Sequence, residues 1–232
     1  MNGIAILLGL GRPGRAWAFA LVTAGAFLAC WLEFPAAKAA CGCVLMLGLV
    51  GATCVDLDQM IIPDLFTVGL AVAGLILSAA VPSLHGAGPP LAFNCLRSAA
   101  SSALGIAIGS SLPLWAGLLS ELALGREVLG FGDVKFLGAI GAFCGWQGAV
   151  FGFFGGALIG ALALAAAELH RRISGGGTVR LLRVETPSGE VGKLGLSTHF
   201  PFGPMIAAAA GLYFLALHPW VDGYLARYLA LF

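Results

Sequence analysis

The chain has 232 residues, of which 59% are hydrophobic and only 10% carry a charge, and its mean hydropathy is +0.98. Soluble domains carry about 25% charged residues, so this composition, spread over several long apolar runs, indicates a polytopic membrane protein. The net charge of +1 gives no overall field that would attract nucleic acid, and we expect no nucleic-acid partner.

The apolar runs predict an all-α membrane bundle of seven or eight helices, because a helix needs about 20 apolar residues to cross a bilayer. The predicted spans, in chain order, are 16–32, 39–55, 65–81, 98–119, 134–148, 149–167, 200–217 and, as a crossing or as an interfacial helix, 220–232. Pro113 predicts a kink in the fourth span. We expect one integral-membrane domain over residues 1–232, with a cytoplasmic loop or small hairpin inserted at 170–199.

The basic residues predict the orientation. If the N-terminus is inside, nine of them fall on one side: Arg12, Arg15, Arg126, Lys135, Arg171, Arg172, Arg180, Arg183 and Lys193. Three fall on the other: Lys38, Arg97 and Arg227. The positive-inside rule makes the side with nine charges cytoplasmic. The same assignment places Asp56, Asp58, Asp64 and Asp133 at the cytoplasmic side.

Two patterns of small residues favour packing over chemistry. Five of the six cysteines lie inside or at the edge of apolar runs, where we expect small apolar residues. Cys41-Gly42-Cys43 resembles half of a zinc site but lacks a second pair at set spacing, so we expect no metal and no cofactor. Gly148, Gly152, Gly156 and Gly160 repeat every four residues and predict one smooth helix face for close packing.

Two acidic stretches stand where apolar runs end, and charges in that position are costly and usually functional. The first is Asp56-Leu57-Asp58-Gln59-Met60-Ile61-Ile62-Pro63-Asp64, and the second is Gly130-Phe131-Gly132-Asp133-Val134-Lys135. Structural roles are open for the same residues: Asp58 and Asp64 as solvated or capping groups, Asp133 as a helix cap, and Lys135 as a partner of an acid or of lipid phosphate.

The second stretch suits a site that admits an extended peptide, because Gly130 and Gly132 let another chain come near a carboxylate. We expect Asp56 and Asp133 to meet in one aspartic protease site. Two nearby carboxylates share one proton, since both cannot ionise cheaply at short range. The ionised group accepts a proton from water, and the protonated group polarises the scissile carbonyl.

These stretches resemble the motifs of the type IV prepilin leader peptidases, a family of Gly-x-Gly-Asp membrane aspartic proteases. The similarity extends through the residues after Lys135, namely Phe136 to Ala142 and Gly145-Trp146, and includes Pro201-Phe202-Gly203-Pro204 before the last long span. The three patterns stand in the order that the family shows, between about residue 40 and residue 215.

The resemblance implies a hydrolase of the bacterial inner membrane that removes the short basic leader of prepilins or pseudopilins at the cytoplasmic face. The cut exposes an apolar, helical N-terminal segment of the substrate. Asp56 and Asp133 match the two catalytic aspartates, while Asp58 and Asp64 match further acidic positions of the first motif. We expect Asp58, Asp64, Gly130, Gly132 and Lys135 to support the site. A prepilin or pseudopilin and membrane lipid are the expected partners.

The similarity fails at the front of the chain. Many family members carry an N-terminal cytoplasmic region with two cysteine pairs that is associated with N-methylation of the new terminus, and this sequence lacks both pairs. We therefore expect no methyltransferase activity. Two other classes compete with the peptidase: an ion-coupled membrane transporter with aspartates at the membrane edge, and a membrane transferase that holds Mg²⁺ with an Asp-x-Asp pair.

Overall fold

The computed structural model of the chain describes residues 13–125, 129–173 and 201–229. The helices, in chain order, are α1 (Pro13–Glu33), α2 (Ala36–Gln59), α3 (Leu70–Ala80), α4 (Ala92–Leu124), α5 (Phe131–Ile173), α6 (Gly203–Leu212) and α7 (His218–Leu229). Three helical turns complete them: Leu65–Gly69 before α3, Pro82–His85 after α3, and Tyr213–Leu217 between α6 and α7. The all-α fold is confirmed for the described residues, which contain no strand.

The membrane character is also confirmed. Five helical stretches in the described part of the chain are long and apolar enough to cross a membrane, and Leu65–Ala80 is apolar but shorter. The number of crossings, seven or eight, stays a prediction. Residues 170–173 were expected in a loop, but α5 runs on through Ile173. The rest of the predicted loop, to residue 199, lies outside the described residues.

Several helices extend beyond the predicted spans, because hydropathy detects the apolar part of a helix and not its polar ends. α2 was expected to stop at Val55, yet it continues to Gln59, so that Asp56 and Asp58 are helical. The backbone N–H of Met60 donates to the carbonyl of Asp56 and closes this last turn. α4 begins at Ala92 and continues through Pro113 to Leu124, longer than the predicted 98–119.

Gly145 divides α5 into two segments that fold back on each other. Its φ of 68° and ψ of −178° are not helical, and a residue with a side chain rarely adopts them. A Cβ placed on Gly152 would lie 3.4 Å from Cδ2 of Leu137. In a straight helix these residues would be about 22 Å apart at 1.5 Å per residue. The fifth and sixth predicted spans therefore correspond to the two halves of α5, with the boundary at Gly145 and not at Gly148.

The break at Gly145 is tied to two neighbouring helices. The hydroxyls of Ser78 in α3 and Ser102 in α4 both donate to the carbonyl of Ala142, at 3.2 and 2.9 Å. Ala142 lies in the last turn before the break, where helix carbonyls lose their intrahelical donors. Gly105 of α4 and Gly141 of α5 pack backbone to backbone, and a Cβ on either would collide with the carbonyl oxygen of the other.

Three of the four glycines in the predicted row pack against α6 and the turn that follows it. A Cβ on Gly148 would meet the ring of Tyr213, one on Gly152 would approach Ala210, and one on Gly156 would lie 3.1 Å from the backbone of Ile206. The contacts run in opposite directions along the two helices, so the second half of α5 and α6 are antiparallel. This packing brings the start of α6 to the same end of the bundle as the start of α5.

Candidate active site

Asp56 is a buried carboxylate in the last turn of α2, with 5% of its surface exposed. The backbone N–H of Gly203 donates to its Oδ2 at 3.1 Å. Gly203 is the first residue of α6, and the N–H groups of a first turn have no partner within their own helix. The N-terminus of α6 therefore fixes the orientation of the Asp56 carboxylate and offers it a positive partial charge.

Glycine is required at position 203 by this contact. A Cβ there would lie 2.7 Å from Oδ2 of Asp56, well inside the normal contact distance. The same Cβ would lie 3.1 Å from Cδ1 of Ile62. A Cβ on Gly132 would approach Ile62 as well, at 3.6 Å from its Cβ. Ile62, which is 7% exposed, thus packs between the glycine that binds Asp56 and the glycine that precedes Asp133.

The connection that carries Ile62 begins with a strained residue. Met60 ends α2 in the left-handed conformation, with φ 52° and ψ 32°. It is the one residue other than glycine with a positive φ in the described part of the chain, and such a conformation costs roughly 1–2 kcal/mol. The sharp end of α2 turns the chain at once toward Pro63 and leaves Met60 and Ile61 at the edge of the site.

Asp133 stands in the first turn of α5. Its backbone N–H donates to the carbonyl of Gly130 at 3.1 Å, which closes the turn that leads into the helix. Its Oδ2 lies 3.5 Å from the position that a Cβ on Gly130 would take. That distance is an ordinary van der Waals contact, so Gly130 lies directly beside this carboxylate.

Asp56 and Asp133 face the same cavity, of about 450 Å³. The two groups are close enough to repel each other when both are ionised. The cavity is lined by residues of the two acidic stretches: Asp56, Met60, Ile61, Ile62, Pro63, Asp64, Gly130, Phe131, Gly132, Asp133 and Lys135. The structure therefore brings together six of the seven predicted site residues. Asp58 is exposed and lies outside the cavity wall.

Asp64 and Lys135 form an ion pair across the cavity mouth. Nζ of Lys135 lies 2.8 Å from Oδ1 of Asp64, and the hydroxyl of Thr67 reaches the same oxygen at 3.4 Å. The hydrogen bond and the charge of Lys135 hold the pKa of Asp64 below its usual value. Asp64 stands at the N-terminus of the Leu65–Gly69 turn, as the capping alternative expects, but its carboxylate makes no hydrogen bond to the backbone there.

Sequence reasoning did not assign roles to three residues of the site: Ile62, Phe131 and Gly203. The ring of Phe131 is exposed and lies 5.1 Å below the ammonium group of Lys135. For Gly203 a signal was available, since the Pro-Phe-Gly-Pro run places a glycine N–H at the start of a helix where the neighbouring proline has none. Among the described residues, no three His, Cys, Asp or Glu side chains are grouped to hold a metal ion.

Comparisons with known proteins agree with the motifs. Residues 43–165 match the model of the type IV leader peptidase family. Three curated relatives bear the name prepilin leader peptidase/N-methyltransferase. The protein from Stutzerimonas stutzeri is 29% identical over 191 residues, which cover 81% of this chain and 53% of the relative. The protein from Pectobacterium carotovorum subsp. carotovorum is 33% identical over 128 residues, covering 55% and 41%.

The protein from Burkholderia pseudomallei is 34% identical over 182 residues, covering 77% of this chain and 47% of the relative. The chain thus spans about half the length of the curated relatives that it matches. No solved structure matches the chain significantly. The family match covers more than half of the chain, including both acidic stretches and most of the helices that carry them. The chain belongs to the type IV leader peptidase family.

Proposed function

We propose that this protein is a membrane aspartic endopeptidase that removes the leader of type IV prepilins or pseudopilins, with Asp56 and Asp133 as its catalytic pair. One observation carries the proposal. Asp56 at the end of α2 and Asp133 at the start of α5 open into a single cavity, although 77 positions (133 − 56) separate them in the chain. The names of the relatives supply the substrate class.

The pair can perform peptide hydrolysis by general acid–base catalysis. The ionised carboxylate takes a proton from a water molecule, whose oxygen attacks the scissile carbonyl carbon, while the protonated carboxyl group donates to the carbonyl oxygen. Transfer of a proton to the amide nitrogen then lets the C–N bond break, and the pair returns to its singly protonated state. The two macroscopic pKa values belong to the pair as a unit.

The surroundings of the pair suit this chemistry. The Gly203 N–H holds the Asp56 carboxylate in place, and Asp133 lines the cavity beside Gly130. A volume of about 450 Å³ accommodates several residues of an extended peptide. We further propose that the cavity faces the cytoplasm from the inner membrane, because the excess of Lys and Arg falls on the side of the chain that carries both aspartates.

Co-expression with a candidate prepilin tests the proposal. Asp56→Asn and Asp133→Asn each keep the shape of the side chain but remove its ability to cycle a proton. We expect each to lower leader removal by about 10²–10⁴-fold, the usual contribution of a general acid or base. Gel mobility of the prepilin and mass spectrometry of the product N-terminus measure the loss, and the mass also reports any methylation.

Asp58→Asn is the matched control, because it changes the same chemical group on the same turn outside the cavity wall. It should lower leader removal far less than Asp56→Asn or Asp133→Asn does, because Asp58 does not line the cavity. All variants should insert in the membrane to equal levels. Processing at the normal rate by Asp56→Asn or by Asp133→Asn would rule out the proposed pair, and inhibition by a chelator would point to a metal-dependent site instead.

A further inference from the structure

A second, smaller cavity lies beside the catalytic cavity on the outside of the bundle. It has a volume of about 150 Å³, close to that of one large apolar side chain. We call it the α4–α5 groove. Its walls are Leu114, Gly117, Leu118 and Glu121 from α4, and Phe131 and Val134 from α5. The α4 residues fall at the i, i+3, i+4, i+7 spacing that places side chains on one helix face.

Phe131 connects the groove to the catalytic cavity. Its side chain lines both cavities, and 65% of its surface is exposed. Phe131 and Val134 are one turn apart at the start of α5 and line the groove, while Asp133 between them lines the catalytic cavity. A chain that leaves the carboxylates past Phe131 therefore enters the groove directly.

The groove belongs to the apolar outer surface of the bundle. Leu114 and Leu118 are 40% and 49% exposed, and Leu122 in the next turn is 87% exposed. α4 is one of the helices apolar and long enough to cross a membrane, so this exposed apolar face is suited to contact with lipid. Gly117 deepens the groove, since a Cβ there would approach only Leu129, at 3.6 Å.

We propose that the α4–α5 groove binds the apolar segment of the substrate that follows the scissile bond, as a helix packed against α4 from the lipid side. This inference rests on the proposed endopeptidase function and adds where the substrate is held. Its support is the continuity of the groove with the catalytic cavity through Phe131. An apolar groove open to lipid suits an apolar helix, whose polar backbone groups are satisfied internally.

The wall of the groove changes from apolar to charged along α4. Glu121 lies two turns beyond Leu114 along α4, about 10 Å at 1.5 Å per residue, and supplies the one charge of the groove wall. The apolar part of the wall thus takes apolar side chains, and Glu121 stands nearer the C-terminal end of α4. A substrate whose polarity changes from apolar to basic along its length fits this gradient.

Two substrates and two matched variants test the inference. One substrate is a full-length prepilin, and the other is a short peptide with the leader and only the first few residues after the cut. Leu118→Trp fills the groove, and Leu104→Trp makes the same change on α4 at a position 51% exposed outside the groove. We expect Leu118→Trp to raise KM for the full-length prepilin about tenfold and to leave peptide cleavage unchanged. Leu104→Trp should change neither.

Equal loss on both substrates, or no loss on either, would overturn the groove as the binding site while leaving the endopeptidase intact. Cleavage of neither substrate by the unmodified chain would overturn the proposed function itself. A photo-crosslinking residue at position 118 in the Asp133→Asn variant gives a second measurement. It should capture the apolar segment of the prepilin more than the same residue at 104. Capture of lipid alone at 118 would assign the groove to the bilayer.

Discussion

The two ends of the bundle carry partly or fully buried acids in opposite circumstances. At the start of α2, Lys38 lies within electrostatic reach of Asp222, and Asp222 accepts a hydrogen bond from the hydroxyl of Tyr213 at 2.6 Å. At the other end of α2, Asp56 and Asp133 face a cavity and each other. At the first end, Asp222 has the hydroxyl of Tyr213 as a hydrogen-bond donor and the ammonium group of Lys38 within electrostatic reach. At the second end, two carboxyl groups share one cavity.

This difference separates stabilising acids from reactive ones. The half-buried Asp222 accepts a hydrogen bond from the Tyr213 hydroxyl and is satisfied, so its removal costs folding free energy. Two acids that share a cavity repel each other and keep unused hydrogen-bonding capacity, which only a substrate or water can satisfy. Changes at the cavity end should therefore act mainly on activity, and changes at the opposite end mainly on stability.

The largest effect after loss of the proposed catalytic aspartates is expected from Gly203→Ala. The added methyl group would lie 2.7 Å from Oδ2 of Asp56, so the carboxylate must move. A displacement of about 1 Å in a catalytic group can cost on the order of 10²-fold in rate, and we expect a loss of that size in kcat for prepilin cleavage. Thermal unfolding should change little by comparison.

Gly25→Ala is the control for this substitution, because a Cβ at that position of α1 meets nothing within 4 Å. It should leave kcat unchanged. An active Gly203→Ala variant would show that the N-terminus of α6 does not position Asp56 for catalysis.

Changes at the Asp222 end of the bundle should lower stability and leave activity largely intact. Asp222→Ala leaves the hydroxyl of Tyr213, a residue only 2% exposed, without its acceptor, and we expect a loss of about 1–3 kcal/mol of unfolding free energy. Prepilin cleavage below the melting temperature should continue. Adding Tyr213→Phe removes the orphaned donor and should restore part of the stability. If Asp222→Ala stops cleavage while the melting temperature in detergent is unchanged, the assignment of Asp222 to stability and not to activity is contradicted.

The smallest effect is expected at the ion pair of the cavity mouth. Asp64 is 70% exposed, so solvent screens its attraction to Lys135. Because the folded-state pKa of Asp64 is lowered, the pair stabilises the fold above the ordinary carboxyl pKa, and this stability is lost as the pH falls through the lowered value. The melting temperature of the unmodified chain should exceed that of Asp64→Asn slightly at neutral pH.

This difference in melting temperature should disappear in acid and shrink in high salt. Lys135→Gln should give the same small difference, because it removes the other partner of the pair. A difference that grows in acid would contradict the assigned pair.

The sequence predicted the helical bundle and the end at which the acids gather, since apolar runs and charge boundaries are local features. It placed the turn inside α5 three residues late, because Gly145 and Gly148 look alike within a glycine-rich apolar run and only the backbone conformation distinguishes them. The contacts of Gly203 with Asp56 and of Lys135 with Asp64 join residues 147 and 71 positions apart, and no local pattern encodes such pairings.

The turn at Gly145 affects how deep the first turn of α5 lies in the membrane. The segment 131–144 is about 21 Å long at 1.5 Å per residue, whereas the hydrocarbon layer of a typical bilayer is about 30 Å thick. This short half of α5 cannot reach both surfaces, so the lipid around it must thin or the first turn of α5 must sit below the headgroups. Hydrolysis at Asp133 would then take place below the level of the lipid headgroups. The water molecule that attacks the scissile bond would have to enter the membrane to reach it.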